Sequence, residues 1–370
     1  MNLNWLLLFI PIAIGLDLSA ADPVFVFLTA ALAIVPLAKL MGDATESLAH
    51  YLGATFGGLL NATLGNAPEI IISLFALHKG LVDIVKASIT GSIIGNLLFG
   101  LGIAMFVGGL KRPREAQKFH PSMARMNSDL LLLAVFGLIV PAVFAHSTQS
   151  AAEISLPIAM VLIGIYVASF LFTVVNIVPK LERDKQADIE RALKAEGSPF
   201  AAESAGDDSS DEAHWSRGKA LAVLAIVTIA LAVMSEILTG ALEPATESLG
   251  LTPLFAGVFL LALVGNAAEL FSAARFARND QMDLSVGITV GASLQVALLV
   301  VPLLVFAGIL FGQDMDLVFT QFELVAIVLS VMVSRTLVYD GESNWLEGLA
   351  LIAVYVMLGV GFYYAPSGVS

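Results

Sequence analysis

The sequence predicts an all-α polytopic membrane protein of about eleven transmembrane helices, one N-terminal helix followed by two inverted five-helix repeats. Three observations predict it. The first is composition: of 370 residues, 58% are hydrophobic and only 13% charged, with a mean hydropathy of +0.89. A soluble domain carries about a quarter charged residues. The second is a succession of apolar stretches, most near the roughly 20 residues a span needs. The third is a duplication: Gly65-Asn66-Ala67-Pro68-Glu69 recurs 200 residues later as Gly265-Asn266-Ala267-Ala268-Glu269, each copy inside an apolar stretch. The net charge of −13 and a pI near 4.7 argue against nucleic acid as a partner. With no cysteine, disulfides and thiolate metal sites are excluded.

The spans follow in order. Met1–Leu18 is hydrophobic but lacks the basic start of a signal peptide, so it reads as a first helix with its core at 3–16, within a segment 1–20. The first repeat, 21–179, has cores at 24–41, 51–77, 84–110, 128–145 and 154–178. The second repeat, 219–370, has cores at 219–240, 251–276, 284–311, 321–338 and 345–364. Lys and Arg mark the cytoplasmic loops. With the N-terminus cytoplasmic, every basic residue falls inside except Lys79 and Lys86, while Asp17, Asp22, Glu243, Glu247, Asp314 and Asp316 fall outside. Five helices per group is an odd number, so the second group enters from the opposite side, as in many secondary transporters. Ala44-Thr45-Glu46-Ser47-Leu48 is echoed by Ala245-Thr246-Glu247-Ser248-Leu249, and Gly91 by Gly291. The hydrophilic segment 180–218 joins the halves and ends in an acidic cluster, Asp207–Glu212. A flexible linker is the favoured reading over a calcium sensor, because the cluster lacks the spacing and the Gly of an EF-hand.

The chemistry sits in the duplicated motif. A carboxylate inside a membrane span is costly and is by default a functional-site hypothesis. Gly65 and Gly265 permit close approach or a helix break, and Pro68 removes a backbone donor. Ala268 replaces that proline, so a second break would rest on Gly265 alone, and the first half is expected to be the more strongly kinked. Asn66 and Glu69 are three apart and share a helix face, as do Asn266 and Glu269. Gly91-Ser92-Ile93-Ile94-Gly95-Asn96 matches Gly291-Ala292-Ser293-Leu294-Gln295, but Gln295 stands opposite Gly95 at strict offset, with Asn96 one residue later. The sequence leaves open which of the two faces the site. The candidate metal ligands are Glu69, Glu269, Asn66, Asn266, Gln295 and Asn96, with Gly65 and Gly265 at the breaks. Such an oxygen-only set suits Ca²⁺, Mg²⁺, Mn²⁺ or Na⁺ rather than zinc or copper. Two buried carboxylates need a counter-charge, which one Ca²⁺ or two protons supply. Glu69 and Glu269 are therefore also the proton-binding candidates. Glu236 joins them, although a solvated vestibule carboxylate is an equal reading for it. Ser92, Ser293 and Thr63 read as packing contacts between helices. The five His lie at helix ends or in loops and receive no role.

With these residues in place, the pair of Gly-Asn-Ala motifs resembles the signature of the calcium/proton antiporter family, the cation/proton exchangers of the calcium/cation antiporter superfamily. Ser235-Glu236…Glu243-Pro244-Ala245-Thr246-Glu247 and Ile34-Val35-Pro36-Leu37-Ala38…Ala44-Thr45-Glu46 resemble the helices that precede each signature in that family. The resemblance implies that Glu69 and Glu269 alternate between Ca²⁺ and protons, with Asn66, Asn266 and Gln295 contributing nearby. It implies gates formed by helices 24–41 and 219–240, with alternating access. Sodium/calcium exchangers of the superfamily typically carry Thr-Ser after the signature glycine, so Asn-Ala disfavours that alternative. A cation channel is a further rival, but channels usually build pores by subunit symmetry. The expected function is secondary transport, not enzyme catalysis, with Ca²⁺ as substrate and no cofactor. Ca²⁺, H⁺ and membrane lipid are the expected partners, a homo-oligomer is open, and the expected location is a prokaryotic plasma membrane.

Overall fold

Helices that are apolar all round have no soluble face and must pack on one another or on lipid. The computed structural model describes residues 3–144, 151–173, 175 and 215–365. A short 3₁₀ stretch, Leu3–Leu8, leads into α1 (Phe9–Leu18). The first half continues with α2 (Pro23–Leu64), α3 (Ala67–His78), α4 (Val82–Lys111), α5 (Pro121–Phe144) and α6 (Ala151–Phe172). The second half comprises α7 (Arg217–Ser248), α8 (Pro253–Gly265), α9 (Ala267–Arg278), α10 (Met282–Phe311), α11 (Gln321–Val338) and α12 (Trp345–Tyr363). Eight of the described helices are long and apolar enough to cross a membrane, and α8 with α9 makes a ninth, bent by 59°. The eleven spans expected from the sequence are reached only by also counting two shorter apolar helices, Asn4–Leu18 and Ala67–His78. The linker 180–218, with its acidic cluster, lies outside the described residues as far as residue 214.

One expected boundary differs. The sequence predicts separate helix cores at 24–41 and 51–77, but α2 runs helical from Pro23 to Leu64. It bends sharply on the way: a Cβ on Gly57 would stand 2.5 Å from the Ala49 carbonyl oxygen. At the matching junction of the second half the helix does stop. Gly250 adopts φ +66, and the Thr252 side chain caps the next helix by accepting from the Phe255 N–H at 3.1 Å. Gly enters the left-handed region without the Cβ penalty. Ala49 follows Leu48 in the first half as Gly250 follows Leu249, and there the chain stays helical.

The buried apolar residues fall into two clusters. One gathers α1, α2 and α7, through residues such as Ala13, Ile34, Met41, Leu231, Met234 and Leu238. The other gathers α4, α5, α6, α10 and α11, through residues such as Ile93, Leu101, Leu138, Leu162, Leu298 and Val331. The motif-bearing helices straddle the seam. Ala67 and Ile72 of α3 belong to the first cluster, and Ala76 and Leu77 of the same helix to the second. In α8, Ala256 and Leu261 belong to the first and Val258 to the second.

Basic residues link the ends of α4, α5, α9 and α11. Arg112 pairs with Asp280 at 2.5 Å and Arg335 with Asp129 at 2.8 Å, while the Lys111 ammonium donates to the Arg278 carbonyl at 3.0 Å. Two short strands, β1 (Gln117–Lys118) and β2 (Glu342–Ser343), pair antiparallel there and tie the halves together. Elsewhere, Lys86 of α4 pairs with Asp316 at 2.5 Å and donates to the Val318 carbonyl at 3.1 Å.

Candidate cation site

Both motifs break their helices. Asn66 lies between α2 and α3 at φ −94, ψ 14, and Asn266 lies between α8 and α9 at φ −90, ψ 6. These nearly equal angles fall in the sparsely allowed bridge region, where many active-site residues sit. Each Asn then starts the next helix, its carbonyl accepting from the N–H of Ile70 or Leu270 at 3.0 Å. The second break therefore forms without a proline. The expectation that it would rest on Gly265 alone is incomplete, because the shared feature is the Asn backbone geometry. Glu69 and Glu269 lie in the first turns of α3 and α9. The helix dipole favours a carboxylate at that end.

The structure brings the two motifs together. A Cβ on Gly265 would stand 2.8 Å from Glu69 Cγ, so the glycine makes room for the carboxylate of the other half. Glu69 also feels the charge of Glu269. Gly91 performs a related service: a Cβ there would strike the Val258 carbonyl, so its absence lets α4 lie against α8.

The amides cross between the halves. Asn66 Nδ2 donates to Gln295 Oε1 at 2.5 Å, joining the first motif to α10. Asn96 Nδ2 donates to Asn266 Oδ1 at 2.7 Å, joining α4 to the second motif. Asn266 Nδ2 in turn donates to Ser92 Oγ at 2.8 Å and to the Ala262 carbonyl at 2.7 Å. This decides between Gly95 and Asn96, since Asn96 is fully buried among these partners and a Cβ on Gly95 would meet nothing within 4 Å. A wide π turn explains the register. It spans Gly95–Gly100 in α4 and so contains Asn96, whereas in α10 it spans Val296–Val300 and follows Gln295. An extra residue per turn rotates what lies within it, and such turns cluster at functional sites.

Five buried oxygens at this place have no hydrogen-bond donor: Asn66 Oδ1, both carboxylate oxygens of Glu69, Asn96 Oδ1 and Glu269 Oε2. The remaining unpartnered buried atoms among the described residues belong to Gln117, Tyr166 and Ser235, and no nitrogen is among them. An unpaired buried oxygen is costly and rare in a native interior. Glu69 is 5% exposed and Glu269 partly exposed. Glu236 stays outside this set: it is exposed on α7, and the Lys79 ammonium donates to its backbone carbonyl at 2.8 Å.

The sequence reading passed over Glu323, a carboxylate 2% exposed. It is the third helical residue of α11 in a capping box with Thr320, and it accepts from Thr90 Oγ1 at 3.2 Å. The Thr-x-x-Glu spacing is the signal that could have found it.

The sodium/calcium exchanger protein family matches residues 23–175 and 219–364, both halves of this architecture. A Ca²⁺/H⁺ antiporter of Aphanothece halophytica is 44% identical over 366 residues, spanning 98% of this chain and 96% of the relative. This chain belongs to the calcium/proton antiporter family. The Ca²⁺/H⁺ antiporter ChaA of Bacillus subtilis is 40% identical over 364 residues, 96% of this chain and 98% of the relative. Among solved structures, native YfkE superposes with a TM-score of 0.81 at 36% identity, covering 98% of this antiporter and the whole of YfkE.

Proposed function

We propose that this antiporter exchanges cytoplasmic Ca²⁺ for external protons, by alternating access at a midplane site formed by Glu69 and Glu269. The observation that carries this reading is the set of five donor-free oxygens. Four flexible side chains from three helices, α3, α4 and α9, and from the break at Asn66 converge with only acceptor atoms unpaired. A hard divalent cation satisfies acceptors of that kind. Two carboxylates balance one Ca²⁺, and two protons balance the same pair when the cation leaves. Occupancy by either is then mutually exclusive, which couples the two fluxes. The names of the relatives at 40–44% identity agree with this cargo.

The seam between the two apolar clusters supports the moving parts. The cluster of α1, α2 and α7 acts as the gate and the cluster of α4, α5, α6, α10 and α11 as the fixed body, with α3 and α8 between them. The halves enter the membrane from opposite sides, N-terminus cytoplasmic, in a prokaryotic plasma membrane. Glu236, exposed on the gate helix, passes protons to the site. The chain is a transporter and not an enzyme.

The test is Ca²⁺ flux into proteoliposomes under an imposed pH gradient, with and without Na⁺. Uptake should follow the pH gradient and ignore Na⁺. Uptake that needs Na⁺ and ignores the pH gradient replaces this reading with sodium/calcium exchange.

A further inference from the structure

We infer that Lys79 is a positioning residue that ties the cation-site helix α3 to the gate helix α7 and holds the site closed on the Lys79 side. This rests on the alternating-access reading above. Lys79 follows α3 directly, at the opposite end from Glu69. A tight helix-ending turn fixes it there. The Gly80 N–H donates to the Leu77 carbonyl at 2.9 Å, the Leu81 N–H donates to the Ala76 carbonyl at 3.0 Å, and Gly80 takes φ +81. From that base the Lys79 ammonium donates to the Glu236 carbonyl of α7 at 2.8 Å, across 157 residues of sequence.

The receiving surface on α7 accommodates it. Gly240 lies one turn after Glu236, and a Cβ there would stand 3.0 Å from Lys79 Nζ. The glycine thus leaves the ammonium room against the helix backbone. One turn further on, Pro244 has no N–H to give the Gly240 carbonyl, so α7 is weakened at the same place. Helices bend most readily at such a turn. The lysine therefore grips the gate helix where it is easiest to bend. Partial burial pulls Lys79 below the ordinary lysine range, while the carboxylates of Glu236 and of Asp17 in α1 favour its charged form.

Two comparisons within the molecule set this contact apart. Lys86 pairs with Asp316 and donates to the Val318 carbonyl, both in the loop before α11, so it joins parts of the fixed body. At the matching end of α9, Asn279 stands in the place of Lys79. There Lys111 donates to the Arg278 carbonyl and joins α9 to α4 rather than to a gate helix. Of these three lysines, Lys79 alone crosses from a site helix to the gate. Since α7 packs along α3, access to Glu69 from the Lys79 end requires the two helices to part, which breaks the contact.

The chain has no cysteine, so a single introduced one reports access. Ser73 is 4% exposed and lies four residues after Glu69, on the same face of α3 and toward Lys79. In purified protein carrying Ser73→Cys, a maleimide should label slowly. Adding Lys79→Met should raise the labelling rate about fivefold, the scale of one hydrogen bond from a charged donor, and Lys79→Arg should keep most of the protection. Gly240→Val displaces the ammonium without removing it, so it should raise the rate too and serves where Lys79→Met does not fold. Lys86→Met should leave the rate within about twofold, which separates opening of the gate from general loosening. An unchanged rate in the released variants, or an equal rise in Lys86→Met, overturns the inference. Either result alongside normal pH-driven Ca²⁺ uptake by the wild-type chain leaves the exchange reading standing. Absence of that uptake in the wild-type chain removes both.

Discussion

The two halves of this antiporter share a motif but wire it differently. In the first half Asn66 gives its nitrogen to Gln295 and keeps its oxygen unpaired, so the motif residue itself faces the site. In the second half Asn266 is fully engaged, and the unpaired oxygen belongs to its partner Asn96. The carboxylates differ as well: Glu69 is buried and Glu269 partly exposed. A duplicated chain therefore yields a site whose two carboxylates are buried to different degrees, although Glu269 Oε2 is itself buried.

The comparison breaks most forcefully at Glu69. Glu69→Gln should lower Ca²⁺ uptake about 100-fold or more, since losing one partner of a buried charge contact costs about 2–5 kcal/mol. It should also erase the Ca²⁺-dependent rise in melting temperature, because a neutral amide mimics the protonated carboxyl permanently. Glu269→Gln should abolish exchange too. Retained pH-driven uptake in either variant, measured in proteoliposomes, removes the two-carboxylate mechanism.

What the sequence made legible was periodic or duplicated. Apolar stretches gave most of the spans, and the 200-residue offset gave the paired motifs. What it hid depended on angles that side-chain identity does not encode. The strict offset put Gly95 opposite Gln295, and only the placement of a π turn reveals Asn96. Proline looked like the cause of the break, yet Asn266 breaks its helix equally without one. Ser92 and Ser293 look alike as letters, yet Ser92 accepts from the Asn266 amide while Ser293 donates to the Thr289 carbonyl. The Glu323 cap was readable from spacing, but its contact with Thr90 of α4 is a long-range fact.

Outside the site, α4 and α10 are held unequally. Two side chains one turn apart, Lys86 and Thr90, fasten α4 to Asp316 and Glu323 of the other half. Asp283 of α10 is fastened by accepting from the His120 N–H at 2.5 Å. The Lys86 and Asp316 side chains are only 12% and 23% exposed, so Lys86→Met should cost about 2 kcal/mol by stranding Asp316. Asp283→Ala should cost about 1 kcal/mol or less, its partner being exposed backbone. Thermal unfolding of the two variants in one detergent measures the ordering. A larger loss in Asp283→Ala would show that the clasp on α4 is not the stronger one.

A smaller effect is expected where the halves touch. Gly265→Ala places a Cβ 2.8 Å from Glu69 Cγ, inside normal contact distance. Glu69 must shift by some tenths of an ångström to accommodate it, and the KM for Ca²⁺ should rise about 10-fold, a change of about 1.4 kcal/mol. An unchanged KM would mean that the carboxylate is not held against the second motif during binding.

The smallest effect should come from making the halves more alike. Pro68 lies in the first turn of α3, where its missing N–H has no helical acceptor to lose. Asn266 adopts the same backbone angles as Asn66 with Ala268 in the equivalent place, so the break does not require the ring. Proline at a compatible site acts mainly by restricting the unfolded chain, an effect of about 0.4–1 kcal/mol. Pro68→Ala should therefore lower the melting temperature slightly and keep Ca²⁺ uptake within about twofold of wild type. A collapse of uptake in Pro68→Ala with the fold intact would show the opposite: that the first break is held by proline and the second by asparagine, two solutions to one bend.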